Sequence, residues 1–270
     1  MRWDHAGIYS DDLGRDEGLR MDLWDGLELR PVDIVACMGA GGKTSMIMTL
    51  ARCARERHIP VVITATTKMF LQQVTRYHPV IAEEYEAGQV EVDEKLKRSG
   101  QAAWFREVQF PKVIGIHPEW VDELALKQSC CILVEADGAA QCLIKAPASH
   151  EPVIPRSTTM TIGVLSLQAI GKPLSPATSH RLPLVLELLN KKAGSLIEWR
   201  DLAKLALYRH GIFQYAQGRK VLLLTGADAN GLSYSHKVAE YLTQAGTDIS
   251  LCIATEGVGE LMRPSMVKSL

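Results

Sequence analysis

The sequence predicts an α/β fold, a three-layer arrangement of a mostly parallel sheet with helices on both faces. Three observations predict it. Short, continuous apolar runs of strand length recur along the chain. Stretches with helical spacing of apolar side chains lie between them. A glycine-rich segment joins the first such run to the first such helix. With 270 residues, the chain is long enough to bury a full core without disulfides or metal staples.

Residues 33–38 (Asp-Ile-Val-Ala-Cys-Met) read as a buried strand. Residues 44–57 read as a helix, with Met46, Ile47, Leu50 and Ala54 near one face. Residues 60–65 form a second buried strand, and the three elements make a βαβ unit with a right-handed crossover. Further buried strands are expected at 113–116, 130–135, 160–165, 220–225 and 249–254. Helices at 118–127, 181–190, 199–210 and 236–245 fit between them. Two stretches depart from the pattern. Residues 83–105 carry Glu83, Glu84, Glu86, Glu91, Asp93 and Glu94, then Lys95, Lys97 and Arg98. They read as a solvated polar insertion near 83–110 with a short hairpin. Residues 145–155 hold Pro147, Pro152 and Pro155 and read as an irregular loop. No linker or repeat is visible, so residues 31–270 read as one domain behind an acidic N-terminal extension, 1–30.

Charge excludes some partners. Lys plus Arg total 30 and Asp plus Glu total 31, so there is no basic excess of the kind a nucleic-acid surface needs. Aromatic residues are 6 %, too few for a base-stacking platform. No apolar run approaches the roughly 20 residues that cross a bilayer, so no membrane partner is expected. The first 30 residues lack the apolar core of a signal peptide and are too acidic for a transit peptide. Cys37, Cys53, Cys130, Cys131, Cys142 and Cys252 form no CxxC pair and mostly lie in apolar runs. They read as buried, reduced thiols of a cytoplasmic protein.

The strongest chemical signal is Gly39-Ala40-Gly41-Gly42-Lys43-Thr44-Ser45, between a strand and a helix. Glycines let successive N–H groups converge on phosphate oxygens, and the helix start adds its positive dipole end. Lys43 can reach β- and γ-phosphates, and the Thr44 hydroxyl can bind Mg2+. The common GxxxxGK(S/T) spacing would place a glycine at position 37. Cys37 stands there and the first glycine is Gly39, a shorter GxGGKT form.

Two further segments fall at predicted strand ends, where parallel sheets bind ligands. Thr64-Ala65-Thr66-Thr67-Lys68 offers hydroxyls and a lysine to a triphosphate or substrate anion, or caps the next helix through Thr66 or Thr67. Glu135-Ala136-Asp137-Gly138 closes an apolar strand with two acids on one face. Asp137, at the tip, is expected to share Mg2+ with Thr44; Glu135 is expected to orient a water or acceptor. Lys43, Glu135 and Asp137 are thus the expected catalytic set.

These segments, followed by Lys145-Ala146-Pro147-Ala148-Ser149-His150-Glu151-Pro152-Val153-Ile154-Pro155, by Gly171-Lys172-Pro173-Leu174 and by His180-Arg181, resemble the YqeC family. The resemblance runs from about residue 22 to about residue 228. It implies a fold similar to P-loop NTPases. It also implies an accessory role in maturation of selenium-dependent molybdenum hydroxylases, with such a hydroxylase or its cofactor-handling proteins as partner. The phosphate-loop role then falls on Gly39, Gly41, Gly42, Lys43 and Thr44, and the acidic-strand role on Glu135 and Asp137. Gln141-Cys142 departs from the small, Arg- or Pro-containing residues expected after Asp-Gly-Ala-Ala.

Thr225-Gly226-Ala227-Asp228 stands where a guanine-reading Asn/Thr-Lys-x-Asp sequence would, with Gly226 in place of the lysine. Asp228 is therefore a candidate base contact, and ATP and GTP both remain open. Lys145 and Lys172 read as holders of a second anion or as solvated side chains. His150 and His180 read first as hydrogen-bonded loop residues. The expected activity is Mg2+-dependent nucleoside triphosphate hydrolysis. The alternatives are phosphoryl transfer to a small molecule or cofactor, and nucleotide-dependent assembly with little turnover.

Overall fold

The computed structural model describes residues 22–255 and 258–262. In chain order the first part runs α1 (Leu23–Gly26), β1 (Ile34–Gly39), α2 (Lys43–Glu56), β2 (Val61–Ala65), β3 (Lys68–Phe70), α3 (Leu71–Val74), β4 (Val80–Ile81) and α4 (Tyr85–Ser99). Next come β5 (Gln101–Phe105), β6 (Glu107–Gln109), β7 (Lys112–Ile114), α5 (Pro118–Lys127), β8 (Cys131–Glu135) and β9 (Ile144–Lys145). The last part is β10 (Met160–Ser166), β11 (Ser179–His180), α6 (Leu182–Leu189), α7 (Trp199–Leu207), β12 (Arg219–Ala227), α8 (Ala229–Gln244), β13 (Ser250–Thr255) and β14 (Val258–Met262).

The main sheet has nine strands in the order β14-β13-β12-β10-β1-β8-β2-β5-β4. All pair in parallel except β14, which is antiparallel to β13. The two-residue period of the strands divides the core between the faces. Val35 and Cys37 of β1, Val61 and Ile63 of β2, and Leu133 of β8 point to the layer that holds α1, α2 and α3. Val62, Ile132 and Val134 point to the opposite layer with α4 and α5. Leu222 and Leu224 of β12 join α6, α7 and α8 on that side. The fold is the expected three-layer α/β architecture, with a strand, a glycine turn and a helix at its centre.

Two expectations are corrected. The stretch read as a solvated insertion contains α4 and β5. The helix buries only Tyr85, Gly88 and Val92, a narrow stripe, so charged residues dominate its composition. Gly88 faces Trp104 so closely that a Cβ there would lie 2.3 Å from the indole. Strand β5 belongs to the main sheet, and Ala102 to Phe105 are fully buried. A hairpin does follow, formed by β6 and β7. It pairs with β3 in a separate three-stranded antiparallel sheet, so the run at 113–116 is not a strand of the main sheet.

Residues 1–21 of the expected N-terminal extension lie outside the described residues. The remainder is packed structure: Leu23, Trp24, Leu27 and Leu29 are buried with α2. Arg57 ties them down through Asp22 and Asp25, each at 2.6 Å. All six cysteines are buried. Among the described residues no helix is long and apolar enough to cross a membrane.

Candidate functional site

The site forms at the carboxyl ends of β1, β8, β2, β10 and β12. Register sets it: Glu135 pairs with Cys37 on one side and Ala65 on the other, and Gly39 pairs with Val164. The acidic tip of β8 therefore abuts the start of the glycine loop.

The loop is clamped to its neighbours. Gly39 has φ +94°, and a Cβ there would lie 2.2 Å from the Val164 carbonyl oxygen, so only glycine fits. The Ala40 N–H donates to the Val164 carbonyl at 2.8 Å. The Thr225 hydroxyl donates to the Gly41 carbonyl at 2.5 Å. Helix α2 then starts on Gly42 with no side chain capping it. The first-turn N–H groups of Lys43, Thr44 and Ser45 have no carbonyl within the helix to reach, and the helix dipole is positive there. This is a ready site for an anion.

Lys43 is 4 % exposed. Its Nζ donates to the Gly39 carbonyl at 2.7 Å and faces Asp137 Oδ1 at 3.0 Å. Asp137 Oδ2 accepts from the Gly39 N–H at 3.0 Å and forms an ion pair with Lys145 Nζ at 2.8 Å. Lys145 is fully buried and also donates to the Gly138 carbonyl at 2.7 Å and to Glu151 Oε2 at 3.2 Å. Arg181 closes the series through Nε to Glu151 Oε2 at 3.1 Å and Nη2 to Oε1 at 2.7 Å. Charges alternate along the chain Lys43, Asp137, Lys145, Glu151, Arg181, which is how buried ions are tolerated.

Glu135 has a different partner. Its Oε2 accepts from the Thr44 hydroxyl at 2.8 Å, and its carbonyl accepts from the Thr66 N–H at 3.1 Å. The Thr66 hydroxyl donates to the Val153 carbonyl at 2.6 Å, and the Val153 N–H returns to the Ala136 carbonyl at 3.0 Å. The proline-rich loop thus stitches the tips of β8 and β2 together.

Electrostatics follow from burial and pairing. Burial opposes charge on Lys43, but Asp137 and Glu135 outweigh it and hold its pKa above the ordinary lysine value. Burial pushes the Glu135 carboxyl up, against the pull of Lys43 and the Thr44 hydroxyl. Burial also opposes ionisation of Glu151, but Arg181 and Lys145 prevail and bring it down to about 2. Burial, with Lys145 and Arg181 nearby, lowers the pKa of His180.

The structure brings together Gly39, Ala40, Gly41, Gly42, Lys43, Thr44, Ser45, Thr66, Glu135 and Asp137. It gives the two acids other partners than expected: the Thr44 hydroxyl meets Glu135, while Asp137 is engaged by the loop N–H and two lysines. Lys68 stands apart, exposed, with its ammonium on Gln109 Oε1 at 3.0 Å. Asp228 Oδ1 accepts from the Gly231 N–H at 2.7 Å and caps α8. Thr66 is tied to Val153 rather than capping a helix. Lys145 is neither solvated nor an open anion site. Lys172 and His150 are exposed. Thr225, part of the segment read against the guanine sequence, instead clamps the glycine loop, and the sequence by itself gives Arg181 no role. Glu151 was noted only as a member of the proline loop, and its pairing with Arg181 across that loop has no local sequence signal.

The family model described as "YqeC protein" matches residues 35–183. An uncharacterized protein YqeC of Escherichia coli (strain K12) is 30 % identical over 192 residues, covering 70 % of this chain and 73 % of that protein. A solved structure, chloroplast FtsY from Physcomitrella patens, overlays with a TM-score of 0.42 at 11 % identity. That overlay covers 88 % of this chain, and the chain spans 64 % of the FtsY chain.

Proposed function

This chain belongs to the YqeC family, and on that premise we propose that its glycine loop binds the phosphates of a nucleoside triphosphate together with Mg2+. One observation carries the proposal. An uncapped helix start follows a glycine loop, and its Thr44 hydroxyl lies 2.8 Å from a buried carboxylate oxygen of Glu135. A hydroxyl and a carboxylate are hard oxygen donors of the kind Mg2+ takes, so the residues present fit the ion. Thr44 and Glu135 would hold it. Bound there, the ion would neutralise phosphate charge.

The loop N–H groups of residues 41–45 cradle phosphate oxygens. Lys43 turns from Asp137 to the β- and γ-phosphates. Thr225 and Val164 keep the loop from opening as the ligand enters. Phosphoryl chemistry asks little more of a protein than positioning and charge. Hydrolysis is the leading reading, with transfer to a small acceptor and nucleotide-gated assembly as its rivals. The reading extends to an accessory role in maturation of selenium-dependent molybdenum hydroxylases, as the sequence resemblance implies.

Calorimetry with Mg-ATP and Mg-GTP on the purified chain and on Lys43→Ala tests the proposal. Binding that is lost in Lys43→Ala supports it; equal affinity of the two proteins overturns it. A label on the γ-phosphate then separates free phosphate from a transferred group. Retention of the hydroxylase on the immobilised chain only with nucleotide would support the assembly role.

A further inference from the structure

We infer that Lys145 is the standing counter-ion of Asp137, which keeps that carboxylate paired and in place when Lys43 leaves it for a phosphate oxygen. This rests on the nucleotide reading above and deepens it. Asp137 is 1 % exposed and carries two ammonium partners where one would balance its charge. The two lysines are held differently. Three oxygens surround the Lys145 ammonium: it donates to the Gly138 carbonyl at 2.7 Å and to Glu151 Oε2 at 3.2 Å, and it pairs with Asp137 Oδ2 at 2.8 Å. With no exposure, two hydrogen bonds and the ion pair to Asp137, Lys145 is fixed. Lys43 lies at the first position of α2, beside the first-turn N–H groups, and is held by Asp137 and the Gly39 carbonyl.

The asymmetry has a mechanical meaning. A buried carboxylate stripped of its partner is strongly unfavourable. With Lys145 in place, the departure of Lys43 does not strip Asp137. Without Lys145 it does, and each phosphate gained by Lys43 is set against an unpaired buried charge. Asp137 also anchors the Gly39 N–H at the head of the loop. Lys145 thus acts on the phosphate loop through Asp137 and is a positioning residue, itself balanced by Glu151.

The test is a double-mutant cycle on the full chain: Asp137→Asn, Lys145→Met and both together. Each protein is checked for folding by thermal melting and titrated with Mg-ATP and Mg-GTP by calorimetry. Asparagine keeps an acceptor for the Gly39 N–H and removes the charge. Lys145→Met is expected to weaken triphosphate binding about tenfold or more when Asp137 is present, and by less than about twofold in the Asp137→Asn background. A merely structural lysine would weaken binding in both backgrounds. If Lys145→Met alone does not fold, the comparison of Asp137→Asn with the double variant decides. Equal affinity supports the inference, and a tenfold loss overturns it. A folded Lys145→Met that binds like the parent also overturns it. Failure of the parent itself to bind either nucleotide instead overturns the nucleotide reading, and this inference with it.

Discussion

The Thr44 hydroxyl donates to Glu135 Oε2 at 2.8 Å, while two residues further on Asp137 faces Lys43 at 3.0 Å. The two acids of one strand tip therefore serve different partners. Glu135→Gln preserves an acceptor for Thr44 but removes the charge a divalent ion needs. Nucleotide affinity of that variant is expected to lose its dependence on Mg2+, whereas Asp137→Asn keeps it. Calorimetry with Mg2+ or with a chelator measures both. The reverse pattern would return the metal to Asp137.

Lys43→Ala should separate binding from stability. Asp137 keeps Lys145 when Lys43 is gone, so no bare carboxylate is left in the core. Melting is expected to shift by only a few degrees, about 1 kcal/mol, while triphosphate affinity falls about tenfold or more, as for loss of a charge-assisted bond. A melting loss as large as that of a core cavity would show that the lysine is structural.

Gly39→Ala tests the clamp between loop and sheet. Its Cβ would meet the Val164 carbonyl at 2.2 Å, at φ +94°. A loss of about 2–4 kcal/mol is expected from the clash and the strained backbone. Gly100→Ala is the control. Its φ is +69° but nothing lies within 4 Å of the added methyl, so about 1 kcal/mol is expected from handedness alone. Urea denaturation of both variants measures the difference.

Glu151 gives a pH dependence with a definite sign. Its folded-state value of about 2 lies below the ordinary 4.5. A depressed carboxyl stabilises the fold above the ordinary value and loses that contribution as pH falls from about 4.5 toward 2. The stability gap between the parent and Glu151→Gln should be widest near neutrality and narrow below about pH 4.5. A gap that stays constant with pH would mean that shape, not charge, sets the cost.

Asp228 caps α8 through the Gly231 N–H. Asp228→Ala is expected to lower stability by about 1 kcal/mol, and Asp228→Asn by much less. Neither should alter the preference between ATP and GTP. A changed preference, read by competitive titration, would restore Asp228 as a base contact.

The frame of the fold was legible because parallel strands buried on both faces leave unbroken apolar runs, as at Cys131–Glu135 and Met160–Ser166. Helix α4 was hidden because Tyr85, Gly88 and Val92 are a sparse stripe among many charges. Strand β5 was masked by that same polar neighbourhood, although Ala102 to Phe105 form an apolar run of their own. The glycine loop, Thr44 and the acidic pair could be read locally, because each lies beside its own strand. Which acid meets which cation could not. That depends on how the tip of β8 turns against β1, and on Lys145 folding back from β9. The partnership of Glu151 with Arg181 is likewise non-local, 30 residues apart in sequence. The base-contact expectation for Asp228 rested on position alone, and the helix start took its carboxylate.

The alternating ion chain from Lys43 to Arg181 lies wholly within the residues matched by the family model, 35–183. Its members are contributed by distant stretches of one polypeptide, so none can change sign alone without leaving a neighbour exposed to a like charge or to none. Substitution within this set is therefore expected to be correlated across relatives. Relatives that give up Glu151 are expected to give up Arg181 as well, and those that neutralise Asp137 are released from keeping a lysine at position 145. The chain of charges acts as an evolutionary ratchet on the segment, binding the history of the phosphate loop to that of a loop more than a hundred residues downstream.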